Sequence, residues 1–539
     1  MRSATADHGR DPGEAVLARA RRTLLEGGVP PASTRRSTAI AAELVVAACG
    51  AAGVLAVRLA SWTKCWRWAI TEGREGPVIY ALWRLLHGRP LYEPTVQEPY
   101  TVTFYNFGFY EAYAFVMRHL GVNDERLLSE PRLLSLAGAA FGAVLFVLLG
   151  ARLARPVKRL EWLTLGSLAF VVWFGSQFVS WWAFAVRPDV WAAAFALGGL
   201  SLVVGALEET RVERLVLASL VFAGAWSFKQ SSVWTFAGAL VGVTLEERRA
   251  SRSLALLAPF AVVAAVSLYA GGAVYRENII QAPALSRFHW SLFAGVFARA
   301  IPQNPFVFGF WPLVFAWESR SGLGTAWRKL ARAERLLVVV ALVTVLFGSV
   351  ALGREGSNKN HLLEGFVACA LAAWCALQRL PAAAPRWLSL AGGLAALPLA
   401  VLPVLQLGAA AHALPANRFG RTLFCDDADA RAFTALNQAI VALPHPLFAD
   451  DDVFSQPWHS TADRYPALVL DGGWYAIARR EGLLPGDFPL GALRERGYHA
   501  AVLPVPNPVV DVLQAHGARC SELSPRPLGL TYVVCRLDE

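Results

Sequence analysis

A chain of 539 residues, 55% hydrophobic and only 17% charged, with a mean hydropathy of +0.41, has more apolar surface than one water-soluble core can hide. Apolar stretches of about twenty residues recur along it, which means a polytopic membrane protein. The net charge of +10 is mostly arginine, with lysine only at Lys64, Lys158, Lys229, Lys329 and Lys359. No basic run is interleaved with stacking aromatics, which argues against nucleic acid as a partner.

The first 36 residues, rich in Arg, Ala, Gly and Pro but interrupted by Asp7, Asp11, Glu14 and Glu26, read as a disordered cytoplasmic arm rather than a targeting peptide. Eleven apolar spans follow, near 38–60, 132–151, 161–183, 190–207, 213–228, 232–245, 253–273, 304–317, 335–352, 362–378 and 387–410. Arginine clusters mark alternate connections: the arm, 152–159, 208–214, 246–252, 320–335 and 379–386. By the positive-inside rule these face the cytoplasm, so the N-terminus is expected inside and the tail outside, in a membrane of the bacterial inner-membrane kind.

An outer loop over 61–131 separates the first two spans. It carries Glu72, Arg74 and Glu75, then Val78, Ile79, Leu82, Leu85 and Leu86 at helical spacing, and is stopped by Gly88 and Pro90. A helix of about fourteen residues is too short to cross a bilayer, so it is expected to lie in the interface, with Glu75 projecting into an outer cavity. Four more polar groups fall on the same side: Arg187 with Asp189; Lys229 with Gln230; Arg276 with Glu277 and Asn278; and the run from Gly353 to Glu364. Ionisable groups at a membrane boundary are costly unless paired, hydrated or bound to a ligand, so one shared polar cavity is expected.

Each group also has a plainer role. Glu75 suits a helix N-terminus, Arg187 and Asp189 a structural pair around Pro188, Lys229 snorkelling, and Tyr80, Tyr92, Tyr100, Tyr105 and Tyr110 an interfacial belt. Cys49, Cys369 and Cys375 sit in apolar spans as small buried hydrophobes, while Cys425, Cys520 and Cys535 share the tail, with room for one disulfide. His87, His289 and His361 form no metal spacing; no cofactor is expected, although a divalent cation is compatible with the sequence. The tail from 412 to 539 reads as a small soluble α/β domain, with a helix in FCDDADARAFTALNQAIVAL and strands in PLFADD, YPALVLD, AAVLPV and LTYVVCRL. Asp450, Asp451 and Asp452 lack the spacing of a calcium loop and read as a solvated turn.

The segments EGPVIYALWRLLHGRPLY, PYTVTFYNFGFYEAY, AVRPDVWAAAFALGGL, FKQSSVW and GSNKNHLLE resemble the polytopic glycosyltransferases of the GT-C superfamily, near the protein mannosyltransferase and aminoarabinose transferase branch. The resemblance covers about residues 38–410. It implies an all-α membrane domain over 37–411, about eleven transmembrane helices in all, followed by the soluble domain. It also implies transfer of a sugar from a polyprenyl phosphate to a glycan, lipid or protein acceptor at the outer face. An acidic residue in the first loop serves such enzymes as base. Where the branch has an acidic pair this chain has Arg74 and Glu75, so Glu75 inherits the role and Glu72, about one turn upstream, is its substitute.

The chemistry asks for the same groups. A carboxylate must take the acceptor's proton, and cations must stabilise the departing phosphate. Arg74, Arg187, Arg276, Lys229 and Lys359 are candidates for the second task, beside Asp189 and Gln230. Tyr80, Tyr105, Asn106, Asn358, Asn360, His361 and Glu364 are candidates for the substrate pocket. A non-enzymatic transporter or flippase of lipid-linked sugars is the alternative. It would show matching halves with broken helices, which the sequence lacks.

Overall fold

The computed structural model describes residues 32–65, 75–97, 100–156, 158–176, 178–357, 359–380, 384–411, 425–443, 447–450, 469–470, 472–484, 488–495, 497–526 and 531–537. The arm up to residue 31, Glu72, Arg74, Asn358, Asp451 and Asp452 lie outside the described residues.

Among the described residues, seven helices are long and apolar enough to cross a membrane: Thr38–Cys65, Ser129–Ala154, Asp189–Glu209, Ala250–Ala270, Arg332–Leu352, Lys359–Arg379 and Arg386–Gly408. The other four expected spans are also helical but shorter or broken. The one beginning at Arg159 runs to Phe170, widens into a π turn over Val171–Gly175 and stops at extended Ser176. Val212–Phe228 and Val233–Glu247 have 17 and 15 residues, and a π turn at Phe306–Phe310 leads into Trp311–Glu318.

The spans are apolar inside and out. Phe178, Phe222, Phe366 and Trp374 are buried, while Val144, Leu148, Val262, Val266, Leu342, Leu346, Leu390 and Leu394 stand exposed on the outer helix faces. Such continuous exposed apolar surface is what lipid contact requires. Cys369 and Cys375 are buried among the helices as expected, whereas Cys49 lies exposed on the first.

Where the chain turns at one end of the bundle, the arginine clusters pair with glutamates: Arg152 with Glu208 at 2.7 Å, Arg335 with Glu246 at 2.6 Å, and Arg379 with Glu334 at 2.9 Å. The opposite end carries the loops and the sheet. There the helix Gly76–Leu86 forms where the apolar spacing places it, but it does not lie with one face in lipid. Val78, Ile79, Tyr80, Ala81, Leu82, Trp83 and Arg84 are all buried, against Phe109, Tyr110 and Tyr113 of the helix Phe107–His119 and against Val186.

The C-terminal sheet has the strands β1 (Leu447–Asp450), β2 (Val469–Leu470), β3 (Ala500–Val505), β4 (Arg519–Leu523) and β5 (Thr531–Arg536). Their order is β2-β1-β3-β5-β4; β1 pairs in parallel with β2 and β3, and β5 pairs antiparallel with β3 and β4. Asp426 caps the helix Asp427–Val441 by accepting from the backbone N–H groups of Ala428 and Asp429. β4, unanticipated in the sequence, is an edge strand with mostly exposed or half-exposed residues, so it lacks an apolar run. One disulfide forms among the three tail cysteines, Cys520–Cys535 between paired strands, and a second, Cys65–Cys425, joins the first span to the tail.

Close helix packing rests on small residues. A Cβ at Gly142 would lie 2.1 Å from the Trp173 ring, whereas one at Gly166 would meet nothing within 4 Å. Gly142→Ala is therefore expected to cost about 1–3 kcal/mol through overpacking, seen as a lower unfolding midpoint in detergent, while Gly166→Ala does not lower it. Equal midpoints for the two variants would contradict this packing.

Candidate functional site

A cavity of about 800 Å³ opens between the loop end of the helices and the C-terminal sheet region. At its base the carboxylate of Asp189, 2% exposed, gathers three segments. Its Oδ1 accepts from Lys229 Nζ at 2.5 Å and from Asn360 Nδ2 at 2.9 Å, and its Oδ2 accepts from Arg187 Nε at 3.3 Å. Lys229 also donates to the Asn360 carbonyl at 3.1 Å. Sequence places each donor at a break: Arg187 before Pro188 and the start of a span, Lys229 in extended conformation after Phe228, and Asn360 on the 3₁₀ turn Lys359–Leu362. A buried carboxylate is tolerable only with such donors around it.

The Arg187 guanidinium lies between the rings of Tyr105 and Trp182, at 4.8 and 5.0 Å from their centroids. Burial works against its charge, but Tyr105 and Asp189 outweigh that and raise its pKa above the ordinary value. Arg187 therefore presents fixed positive charge at the cavity base, with Lys229 Nζ beside it on the same carboxylate.

Tyr105, Arg187, Lys229, Gln230, Asn360 and His361 line this one cavity, together with Pro77, Ser231 and Trp234. Gln230 ties the first loop down by donating to the Phe104 carbonyl. The other candidates that are described stand elsewhere. Asn106 is buried between the Trp226 carbonyl and the Tyr275 hydroxyl. Tyr80 is buried with Arg84 over its ring. Arg276 donates to the Leu268 carbonyl at 2.9 Å, and Lys359 to Gln303 Oε1 at 3.3 Å. Glu364 accepts from Ser232 and Thr235 at 2.5 and 2.6 Å, which supplies the partners that a carboxylate entering a span needs.

Glu75 does not project into the cavity. It is 1% exposed, and its carboxylate is held by Arg132 at 3.0 Å through Nε and 2.5 Å through Nη2, while the Val186 N–H donates to Oε1 at 2.7 Å. Sequence gave no sign of this partner, because Arg132 lies 57 residues away at the start of a span. The pair fixes the backbone one residue before Arg187, so Glu75 is placed to position that cation.

One wall of the cavity was not anticipated. Gly473, Trp474, Ala476, Ile477 and Arg480 come from one face of the helix Gly472–Arg480, and Pro504, Pro506 and Asn507 from the end of β3. Trp474 Nε1 donates to the Thr95 carbonyl at 2.9 Å. Arg480 Nη1 grips both oxygens of Glu355, at 2.7 and 2.5 Å, and His289 Nε2 lies 3.0 Å from Glu355 Oε1. Consecutive arginines at a helix end look like solvated surface in a sequence, so this latch carried no signal.

Arg480, supported by the contact from His289, holds the Glu355 carboxyl down at about 2, against an ordinary value of 4.5. A depressed carboxyl contributes stability that is full above the unfolded pKa and is lost as pH falls through the folded one. The gap in unfolding midpoint between wild type and Arg480→Ala should therefore stay constant from about pH 7 to 5 and shrink as the pH falls from there toward about 2. A gap that widens on acidification would contradict the latch. Among the described residues, no group of three or more His, Cys, Asp or Glu side chains is placed to hold a metal ion.

No family model matches the sequence, and no curated protein matches it. Solved structures do. ArnT from Cupriavidus metallidurans bound to undecaprenyl phosphate aligns over 90% of this chain and 97% of its own, at 14% identity and a TM-score of 0.56. Its apo state aligns over 89% and 97%, at 13% identity and a TM-score of 0.56. The archaeal oligosaccharyltransferase AglB from Archaeoglobus fulgidus, in complex with an inhibitory peptide and a dolichol-phosphate, aligns over 86% of this chain and 69% of its own, at 12% identity and a TM-score of 0.50. The chain thus has the polytopic fold of ArnT and AglB, with the sheet region following the last span.

Proposed function

We propose that this protein is a membrane glycosyltransferase that takes a sugar from a polyprenyl phosphate donor and delivers it to an acceptor on the non-cytoplasmic side. The observation that carries the reading is the pair of cations, Arg187 and Lys229, fixed by buried Asp189 at the base of an 800 Å³ cavity. A phosphate leaving group gains negative charge as the glycosidic bond breaks, and preorganised cations lower that barrier. Arginine offers a planar fork and lysine a point charge, a combination suited to a phosphate. The undecaprenyl phosphate bound by ArnT and the dolichol-phosphate bound by AglB support the donor class.

Two independent features support this orientation. The arginine-rich turns gather at the end away from the cavity, as the positive-inside rule asks of a cytoplasmic face. Both disulfides lie at the cavity end, which suits an oxidising compartment. A reporter fused after Arg421 that proved cytoplasmic would reverse this assignment.

With Glu75 committed to Arg132, the proton acceptor of the first loop falls to Glu72, three positions before Glu75 and five before Pro77 at the cavity edge. The two carboxylates then fail differently. With reconstituted protein and radiolabelled polyprenyl phosphate sugars, Glu72→Gln should lower turnover by roughly 100-fold or more while leaving donor affinity alone. Glu75→Gln should weaken donor affinity and thermal stability together, because it leaves Arg132 buried with a neutral partner and loosens the segment holding Arg187. Full turnover in Glu72→Gln would remove it as the base, and the absence of both donor binding and transfer in the wild type would refute the function.

A further inference from the structure

The cavity base holds donors for a phosphate, but it also holds an acceptor that a phosphate cannot use. Asn360 is 5% exposed and lines the cavity. Its amide orientation is set by Asp189: a carboxylate only accepts, so the amide nitrogen faces it and Oδ1 turns away. That Oδ1 is buried and has no hydrogen-bond partner among the described residues. The next residue, His361, also lines the cavity, and its Nδ1 is likewise buried without a partner. Both sit on a turn that is pressed into place. A Cβ on Gly348 would come within 2.5 Å of the His361 carbonyl oxygen, so only glycine lets the helix Arg332–Leu352 seat the turn this closely.

Buried polar atoms left open in a preformed cavity are the mark of a ligand that completes them. A fully ionised phosphate offers only acceptor oxygens, which Asn360 Oδ1 repels; a hydroxyl group donates to it. The ligand that satisfies the whole base therefore carries an anionic oxygen, for Arg187 and Lys229, beside a hydroxyl. We infer that Asn360, with His361 next to it, reads a hydroxyl of the sugar, so that the site prefers the glycosylated polyprenyl phosphate over the bare polyprenyl phosphate left after transfer. The inference rests on the donor reading above and adds to it a device for releasing product: once the sugar is gone, Asn360 Oδ1 again lacks a donor, while the phosphate keeps only its cations.

The test is a ratio of affinities. Undecaprenyl phosphate and its esters with mannose, glucose and arabinose are titrated into the full-length protein in nanodiscs. At least one ester should bind about tenfold more tightly than undecaprenyl phosphate, the scale of one well-made hydrogen bond. In Asn360→Leu that ratio should collapse toward one, whatever happens to the absolute affinities; a merely structural defect at Asp189 would weaken both ligands and leave the ratio standing. Deoxy versions of the preferred ester give the same answer in the wild type without any substitution, since removing one particular hydroxyl should abolish the preference. The inference is overturned if no ester binds more tightly than undecaprenyl phosphate, if the ratio survives in Asn360→Leu, or if every deoxy ester keeps it. Failure of undecaprenyl phosphate and all esters to bind at all would instead sink the donor reading itself.

Discussion

The structure depends on accommodating the Asp189 carboxylate in a place where it is almost wholly buried. A carboxylate buried to this degree is stable only if donors surround it, and here one comes from its own segment and two from segments remote in sequence: Arg187 beside it, Lys229 between two helices, and Asn360 on the last loop before the final pair of spans. Each is drawn to a fixed position by the same carboxylate. The cost of burying one charge thus organises two cations and an amide at the base of a cavity, with the sheet region closing one side.

A second buried pair stands behind the first. Glu75 and Arg132 satisfy each other, and Glu75 also accepts from the Val186 N–H, so the short helix Gly76–Leu86 braces the segment that presents Arg187. Asn278 and Glu277 do the same for the first loop, accepting from Thr103 and Thr95. The outer polar groups therefore divide into those that face the cavity and those that hold its walls, and both kinds look alike as isolated charges in a sequence.

That division explains how far the sequence was legible. Hydropathy located the helices, because lipid and core both demand apolar runs, and loop charge marked the alternate turns. Arg187, Lys229, Gln230, Asn360 and His361 were also legible as lining residues, since ionisable or amide groups beside a span have few inexpensive roles. Glu75 misled because its partner Arg132 lies within the first turn of another helix, and a pairing over 57 residues leaves no local pattern. Tyr80 and Asn106, named for the substrate pocket, misled for a related reason: the first loop folds back on itself and buries them away from the cavity. The wall built from Trp474, Ile477 and Arg480 was invisible because docking the sheet region on the loops is a tertiary event. The edge strand β4 carries the weakest apolar pattern of the sheet's longer strands, and only its register with β5 reveals it.

The account stands on the claim that Arg187 and Lys229 hold a lipid-linked phosphate. The most direct measurement is the equilibrium binding of radiolabelled undecaprenyl phosphate to nanodisc-embedded wild type, Arg187→Ala and Lys229→Ala, each first shown to be folded by its unfolding transition. The account predicts binding by the wild type and a loss of about 1.5–3 kcal/mol in each variant, roughly one to two orders of magnitude in affinity. Wild-type affinity in both folded variants would contradict it.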